Sequence, residues 1–376
     1  LVCEQEGLLG GTFFAIDGCK LSSNASKEWS GKIKDLKKKK EKIEDKLKAL
    51  VEDHIAIDQK EQVVKGQMSV RRERQIRRLE QQADKIEKWL CENTKKIGAN
   101  KKELQSNVTD NDSAKMHTSH GTVQGYNGQA IVDSKHQVIV HGEAIGKGPD
   151  NENLPPVIDG AKENLQTIGK SQDYFEGKIL TADSSYHSIP NLNKCNQEKL
   201  DAYIPDNQFR NRDERFARRV GYRPRSKRFT FPDYRYDREK DEYICPNGKR
   251  LKRFLKSREH KGKLLRSYIS KEADCRACRL RSKCLRIKDA KRRHFTFYAD
   301  ASGNNISQAM IKKIETEKGR KIYPQRIAIV EPVFANIRVH KRMDKFSLRG
   351  KLKVNIQWLL YCMVHNIGKV ASYGIT

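Results

Sequence analysis

No apolar run in this 376-residue sequence approaches the ~20 residues needed to cross a bilayer, and nothing at its start resembles a signal peptide. The expected location is therefore cytoplasmic, with no membrane as partner. The chain begins at Leu1 rather than Met, which leaves room for an upstream segment. Acid is also scarce: 48 Asp and Glu stand against 77 Lys and Arg, a formal charge of +29. With 36% hydrophobic and 33% charged residues, the composition describes a modest core under a heavily ionised surface, in one large domain or about two.

The positive excess is unevenly spread. Residues 206–300 carry 31 basic and 13 acidic side chains, residues 301–376 carry 14 and 4, and residues 31–98 carry 20 and 13, so the remaining segments are net acidic. Basic flanks around an acidic centre suit a polyanion held beside a metal-binding carboxylate site.

Two carboxylates stand out. Lys178-Ile179-Leu180-Thr181 reads as a short buried strand that places Asp183 at its carboxyl end, where open α/β sheets collect functional groups. By itself Asp183-Ser184-Ser185 reads more readily as a helix cap. Gly11 to Ile16 is again an apolar strand, and it delivers Asp17 to its end just before Gly18. Two such acids on neighbouring strands offer the hard oxygen ligands that Mg²⁺ takes.

In chain order, Cys19 to Ser26 reads as a turn-rich loop. Leu36, Lys40, Ile43, Leu47, Leu50, His54 and Ile57 then recur at steps of four and three. After a break around Gly66, Ile76, Leu79, Ala83, Ile86 and Leu90 repeat the pattern. Two charged helices with narrow apolar stripes pair most simply as an antiparallel, coiled-coil-like hairpin, which could grip DNA, contact a second subunit, or only brace the preceding strand. Residues 99–119 are polar and read as a linker. A strand hairpin over Gly121 to Ala144, a helix from Asn153 to Ile168, the Asp183 strand, a helix from Ile189 to Leu200 and a short strand at Asp201 to Pro205 follow. With the charged hairpin lifted out, this is the order of a ribonuclease-H-like mixed sheet flanked by helices, an α/β fold.

The basic segment is rich in Arg, Phe and Tyr, as in Arg225 to Tyr236, where aromatics could stack on unpaired bases or build an inserted β subdomain. It also holds four of the nine cysteines. Cys245-Pro246-Asn247-Gly248 resembles half a zinc knuckle, and Cys275, Cys278 and Cys284 supply three more thiols, together a set suited to tetrahedral structural Zn²⁺. Free thiols in a folded loop are the alternative. Towards the end, Pro332 suits the first turn of a helix and would put Glu331 at its start. Tyr323 and Arg326 lie just upstream, a basic stripe includes Lys345 and Arg349, and Val354 to Val370 reads as an amphipathic helix closing the core with Trp358, Leu359, Met363 and Ile367.

Asp17, Asp183 and Glu331, in this order and on these elements, resemble the DDE triad of insertion-sequence transposases. The likeness covers nearly the whole chain, through Phe14-Ala15-Ile16-Asp17-Gly18, Ala182-Asp183-Ser184-Ser185-Tyr186-His187-Ser188, the cysteine-bearing insertion, and Val330-Glu331-Pro332-Val333-Phe334 leading into Phe346-Ser347-Leu348-Arg349-Gly350. Tyr323, Arg326 and Glu331 look like the tyrosine, arginine and glutamate of a motif common in these enzymes. Four residues separate Arg326 from Glu331 where that motif commonly has three, and Arg338 stands where a lysine is usual.

The resemblance implies a catalytic domain in three parts, residues 1–30, 99–205 and 301–376, interrupted by the helical hairpin at 31–98 and by the basic, cysteine-bearing insertion at 206–300, whose thiol spacing by itself suggests zinc binding. It implies that Asp17, Asp183 and Glu331 hold Mg²⁺ (or Mn²⁺), that water frees a 3′-hydroxyl, and that this hydroxyl attacks target DNA. Tyr323, Arg326, Arg338, Lys345 and Arg349 would contact DNA, with His187 nearby, and the protein would act as a homodimer on transposon ends. Such enzymes usually carry a helical DNA-binding region before the first aspartate. Only 16 residues precede Asp17, so the expectation is a fragment lacking that region. The rival expectations are a related nuclease that cuts without joining and a catalytically silent DNA-binding protein.

Overall fold

The computed structural model of the chain describes residues 1–60, 67–98, 101–118, 121–220, 228–254, 258–260, 263–285, 287, 289–299 and 305–374. Gly66 at the helix break, residues 99, 100 and 119 of the polar stretch and residues 221–227, including the start of the Arg- and Tyr-rich run, lie outside the described residues, as do the side chains of His54 and Ile57.

A six-stranded mixed sheet is built around β1 (Phe13–Ser22). Its alternate side chains enter two cores: Phe14 and Ile16 face one, Ala15, Cys19 and Leu21 the other, so both faces of the strand are covered. Antiparallel to β1 runs β3 (Gly121–Asp133), whose far edge carries β2 (Ala114–Thr118) and β4 (Ile139–Ile145). On its other side β1 pairs in parallel with β5 (Ile179–Ala182), and β5 with β6 (Asp201–Tyr203). The expected loop after Asp17 is instead strand. β1 continues through Gly18 and Cys19 to Ser22, and Asp17 sits in mid-strand opposite Ala130. Gly18 is required by a close approach, not a turn, because a Cβ there would meet Gln129 Nε2 at 2.1 Å and Asn127 Oδ1 at 2.7 Å.

Two charged helices, α1 (Ile33–Lys60) and α2 (Gln67–Glu92), leave the sheet after β1. Leu36 and Ile43 pack with Ala83, Ile86 and Trp89, and Lys40, at a seam position of α1, pairs with Glu87 across the contact. The polar stretch expected to be a linker is folded. Ser106–Asn107 pairs with Ser30–Gly31, and the buried Asn107 amide donates to Ser26 O (2.7 Å) and Ser30 Oγ (2.8 Å) while its carbonyl accepts from the Thr109 and Asp110 backbone. Polar composition imitates a linker here because the buried groups are hydrogen-bonded rather than solvated.

One face of the sheet carries α3 (Leu154–Thr167) and α4 (Ile189–Gln197). The basic insertion after β6 is a second six-stranded sheet. It comprises β7 (Arg235–Asp237), β8 (Glu242–Ile244), β9 (Arg250–Arg253), β10 (Arg258–His260), β11 (Lys263–Ser270) and β12 (His294–Tyr298), with short helices α5 (Glu272–Arg276) and α6 (Arg281–Cys284) before the last strand. Phe229, Phe231, Tyr234 and Tyr236 pack into its aromatic core with Tyr243, Tyr268 and Phe297. These rings are spent on the subdomain and are not free to stack on bases.

The chain returns through α7 (Ile306–Glu315), on the α3 face, then α8 (Glu317–Ile322), α9 (Gln325–Ala335) and α10 (Lys351–Tyr373). Helices α9 and α10 cover the other face through Ile329, Val330, Val333, Trp358 and Cys362. Two expectations are corrected. Pro332 lies inside α9, not in its first turn. Proline has no N–H to give the carbonyl of Ala328, and Gln137 Nε2 donates to that carbonyl at 2.8 Å instead. In α10 the buried face is Val354, Trp358, Cys362 and His365, whereas Leu359, Met363 and Ile367 are exposed. Among the described residues no helix is long and apolar enough to cross a membrane.

Candidate active site

Because Ile16 pairs with Ala182 in the parallel β1–β5 ladder, the residues that follow, Asp17 in β1 and Asp183 just past the end of β5, come close enough to act on one another electrostatically. Asp17 Oδ1 accepts from the Gly18 N–H (2.8 Å) and Oδ2 from Arg326 Nη1 (2.5 Å). Burial pushes the Asp17 carboxyl up to about 6, the Arg326 charge opposing the rise and Asp183 adding to it. Asp183 also caps the following 3₁₀ turn, accepting from the Ser185 N–H at 2.8 Å and from Ser185 Oγ at 2.5 Å. Thus the capping and strand-end readings of Asp183 both describe it.

A third acid was missed from the sequence. Asp150 lies in the loop before α3; its Oδ1 accepts from Asn127 Nδ2 (2.6 Å) and Gln129 Nε2 (2.9 Å), and Ser185 Oγ stands 3.0 Å from its Oδ2. Ser185 thereby links Asp150 to Asp183. The only trace in the sequence is an acid ahead of a Pro-containing helix start, which any capping residue would leave.

Arg326 is buried on the inner face of α9, and its Nε has no hydrogen-bond partner among the described residues. Tyr323 adjoins it, packed edge-to-face on Phe209 at 5.5 Å between ring centres, with burial raising its hydroxyl pKa and the Arg326 charge lowering it. Glu331 differs from expectation. It lies inside α9, five residues and so roughly 140° around the helix from Arg326, is exposed, and makes no side-chain hydrogen bond or ion pair with a described residue. Among the described residues no group of three or more His, Cys, Asp or Glu side chains is arranged to hold a metal ion as it stands. The structure therefore brings Asp17 and Asp183 together, with Arg326, but it does not gather a formed triad.

Of the remaining expected contacts, Lys345 and Arg349 are exposed beside the far end of β1: the Phe346 N–H donates to Ser22 O (2.7 Å) and Arg349 Nε to Asn24 O (2.9 Å). Arg338 is exposed after α9, close enough to Cys19 to act on it electrostatically. His187 is committed elsewhere, its Nδ1 2.8 Å from Ile204 O and its Nε2 2.8 Å from Ser307 Oγ, so it ties α7 to the sheet.

Residues 244–371 match a family model described as a transposase DDE domain. Over that last third of its length the chain is similar to DDE-type transposases. No curated protein and no solved structure matches it. The matched span takes in most of the insertion sheet and the helices bearing Tyr323, Arg326 and Glu331, and it stops short of Asp17 and Asp183 upstream. As in transposases generally, DNA is the partner this family implies.

Beside the second sheet, four cysteines come together. Cys245 in the β8–β9 turn and Cys275, Cys278 and Cys284 on and between α5 and α6 line one cavity of about 30 Å³.

Proposed function

We propose that this chain is a DNA transposase that cuts phosphodiester bonds at element ends and joins the freed strand to target DNA, with a ribonuclease-H-like sheet as its scaffold. The observation that carries the reading is the closeness of Asp17 and Asp183, each one residue beyond the Ile16–Ala182 pair of adjacent parallel strands, in a chain whose last part matches a transposase DDE domain. The strand order, an antiparallel β1–β3–β4 set continued by parallel β5 and β6, supports the scaffold.

The donor set fits a divalent metal. Two carboxylates held side by side, one partly buried and pushed towards its neutral form, repel one another until a cation lies between them, and Mg²⁺ or Mn²⁺ takes such hard oxygens. Asp17 and Asp183 would hold it, with Glu331 as the further ligand; the ion would supply charge to the phosphate oxygens. Arg326 and Tyr323 position a non-bridging phosphate oxygen beside Asp17. Ser185 and Asp150 fix the orientation of Asp183. Arg338, Lys345 and Arg349, with the basic surface of the insertion, hold the flanking duplex through its phosphates, and affinity should fall steeply with salt.

The test is a nicking and strand-transfer assay on duplex DNA with Mg²⁺ or Mn²⁺. Asp183→Asn should lose both products while retaining salt-sensitive DNA binding; cleavage that survives the substitution removes the assignment. The second reading, a silent DNA-binding protein, is favoured by Arg326 already neutralising Asp17 and by the unpartnered Glu331. It requires that chelating the metal change nothing in either assay. Cutting without joined product would instead mark a nuclease.

A further inference from the structure

We infer that the insertion carries a structural zinc site made by the thiolates of Cys245, Cys275, Cys278 and Cys284. The inference does not depend on the chemistry proposed for the carboxylates. These four sulfurs come from three elements, the turn after β8, the α5 end with the residues that follow it, and the end of α6, yet they surround a single small cavity. That convergence is selective: the other five cysteines of the chain lie elsewhere, at Cys3, Cys19, Cys91, Cys195 and Cys362.

The surroundings suit thiolates. Tyr234 Oη lies 3.0 Å from Cys284 Sγ and Ser270 Oγ 3.1 Å from Cys275 Sγ, so each sulfur has a hydroxyl able to donate to it once it is deprotonated. A zinc ion with four thiolates leaves two excess negative charges, and the same cavity is lined by Arg281, Arg293 and Lys249. Both guanidinium groups are held there by the backbone of the cysteine elements, Arg281 Nη1 on Cys275 O (3.1 Å) and Arg293 Nη1 on Cys284 O (3.2 Å). Asp274 is the one carboxylate lining the cavity among the described residues, so these three cations outnumber the acids there, an excess that suits a zinc–thiolate centre.

The turn at Cys245 has the tight geometry of a ligand loop, with the Gly248 N–H bonded to Cys245 O (2.8 Å), the Cys245 N–H to Lys249 O (2.8 Å), and Gly248 at φ +73°. Among the described residues the four sulfurs line the cavity without forming a metal-ready group as they stand, so binding an ion requires them to draw together. Once closed, the ion staples β8 and β9 to the α5–α6 arm. That arm in turn holds the entry to the sheet, through the Phe229 N–H on Lys283 O (2.8 Å).

Metal analysis of the full-length protein, purified under reducing conditions with zinc present, decides the matter. Stoichiometric zinc is expected, retained in Cys91→Ser and lost in Cys275→Ser/Cys278→Ser. Replacing zinc by Co²⁺ in the unsubstituted protein should give the intense visible bands of tetrahedral cobalt thiolate, a readout that survives if the variant fails to fold. Absence of zinc with a cobalt spectrum lacking thiolate bands overturns the site, as does zinc kept by the double variant. Thiols lost to a Cys275–Cys278 disulfide without bound metal would overturn it equally.

Discussion

Arg326 Nη1 lies 2.5 Å from Asp17 Oδ2, although 309 residues separate the two in sequence. The pair ties α9 to the middle of β1, where both side chains are largely removed from water. Removing one member leaves the other without its counter-charge. Asp17 can escape by taking up a proton, which limits the penalty. Arg326→Ala should therefore lower unfolding stability by about 1–3 kcal/mol at neutral pH. Urea unfolding in chelator measures this, and an unchanged midpoint would mean the pair does not form in solution.

The same environment makes Asp17 a stability cost at neutral pH. Its folded pKa, pushed up to about 6, exceeds the ordinary aspartate value, so the fold prefers the protonated acid. The corresponding stability is present in full below pH ~4 and is lost as pH rises through about 6. Asp17→Asn mimics the protonated form. It also strips Arg326 of its counter-charge, a cost that does not depend on pH, so without divalent metal the variant's stability relative to the parent should rise by about 1–3 kcal/mol from pH 4 to pH 7.5. Melting curves at the two pH values check the sign. Adding Mg²⁺ should stabilise only the parent, because the ion compensates the charge that burial penalises.

The two strands that lead to the aspartates were legible because short apolar runs leave few choices, although β1 continues past Asp17 to Ser22. They were read as strands from the β-branched content at Ile179 and Thr181 and from the continuous apolar run Phe13 to Ile16, and they do lie side by side. The helical stripes of α1 and α2 were equally plain. What failed were features decided by tertiary contact. Gly18 looks like a turn until Gln129 and Asn127 are seen to fill the space of its missing Cβ. Asp110, Asn107 and Ser113 look like linker until their hydrogen bonds are seen to be buried. Leu359, Met363 and Ile367 are spaced four apart just as Val354, Trp358 and Cys362 are, but the stripe that faces the sheet is the second. Asp150 has no local signature, since Asn127, Gln129 and Ser185 reach it only through the fold.

Glu331 separates catalytic from structural roles more sharply than either aspartate. It is exposed and holds no described residue by its side chain, so Glu331→Gln should change stability by no more than about 0.5 kcal/mol. If it joins Asp17 and Asp183 around the metal when DNA binds, the same substitution should lower nicking by at least about 100-fold, the loss expected when a group acting only in the transition state is removed. Full activity in Glu331→Gln would exclude it as a ligand. It would leave Asp150, already linked to Asp183 through Ser185, as the acid to test next.

The proline beside that glutamate offers a test of how α9 is set. Pro332 cannot donate to Ala328 O, and Gln137, held at φ +60° in the β3–β4 turn, donates in its place. Gln137→Ala should therefore cost about 0.5–1 kcal/mol by leaving that carbonyl short of a partner. In a Pro332→Ala background the restored N–H can bond Ala328 O along the helix, and Gln137→Ala should then cost close to nothing. A double-mutant cycle in urea should thus return a coupling of about 0.5–1 kcal/mol. Additive effects would show that Gln137 and the proline act independently. If the coupling is present and Pro332→Ala also lowers nicking while Gln137→Ala does not, the proline serves to aim Glu331, because only the first change straightens the helix turn that carries it.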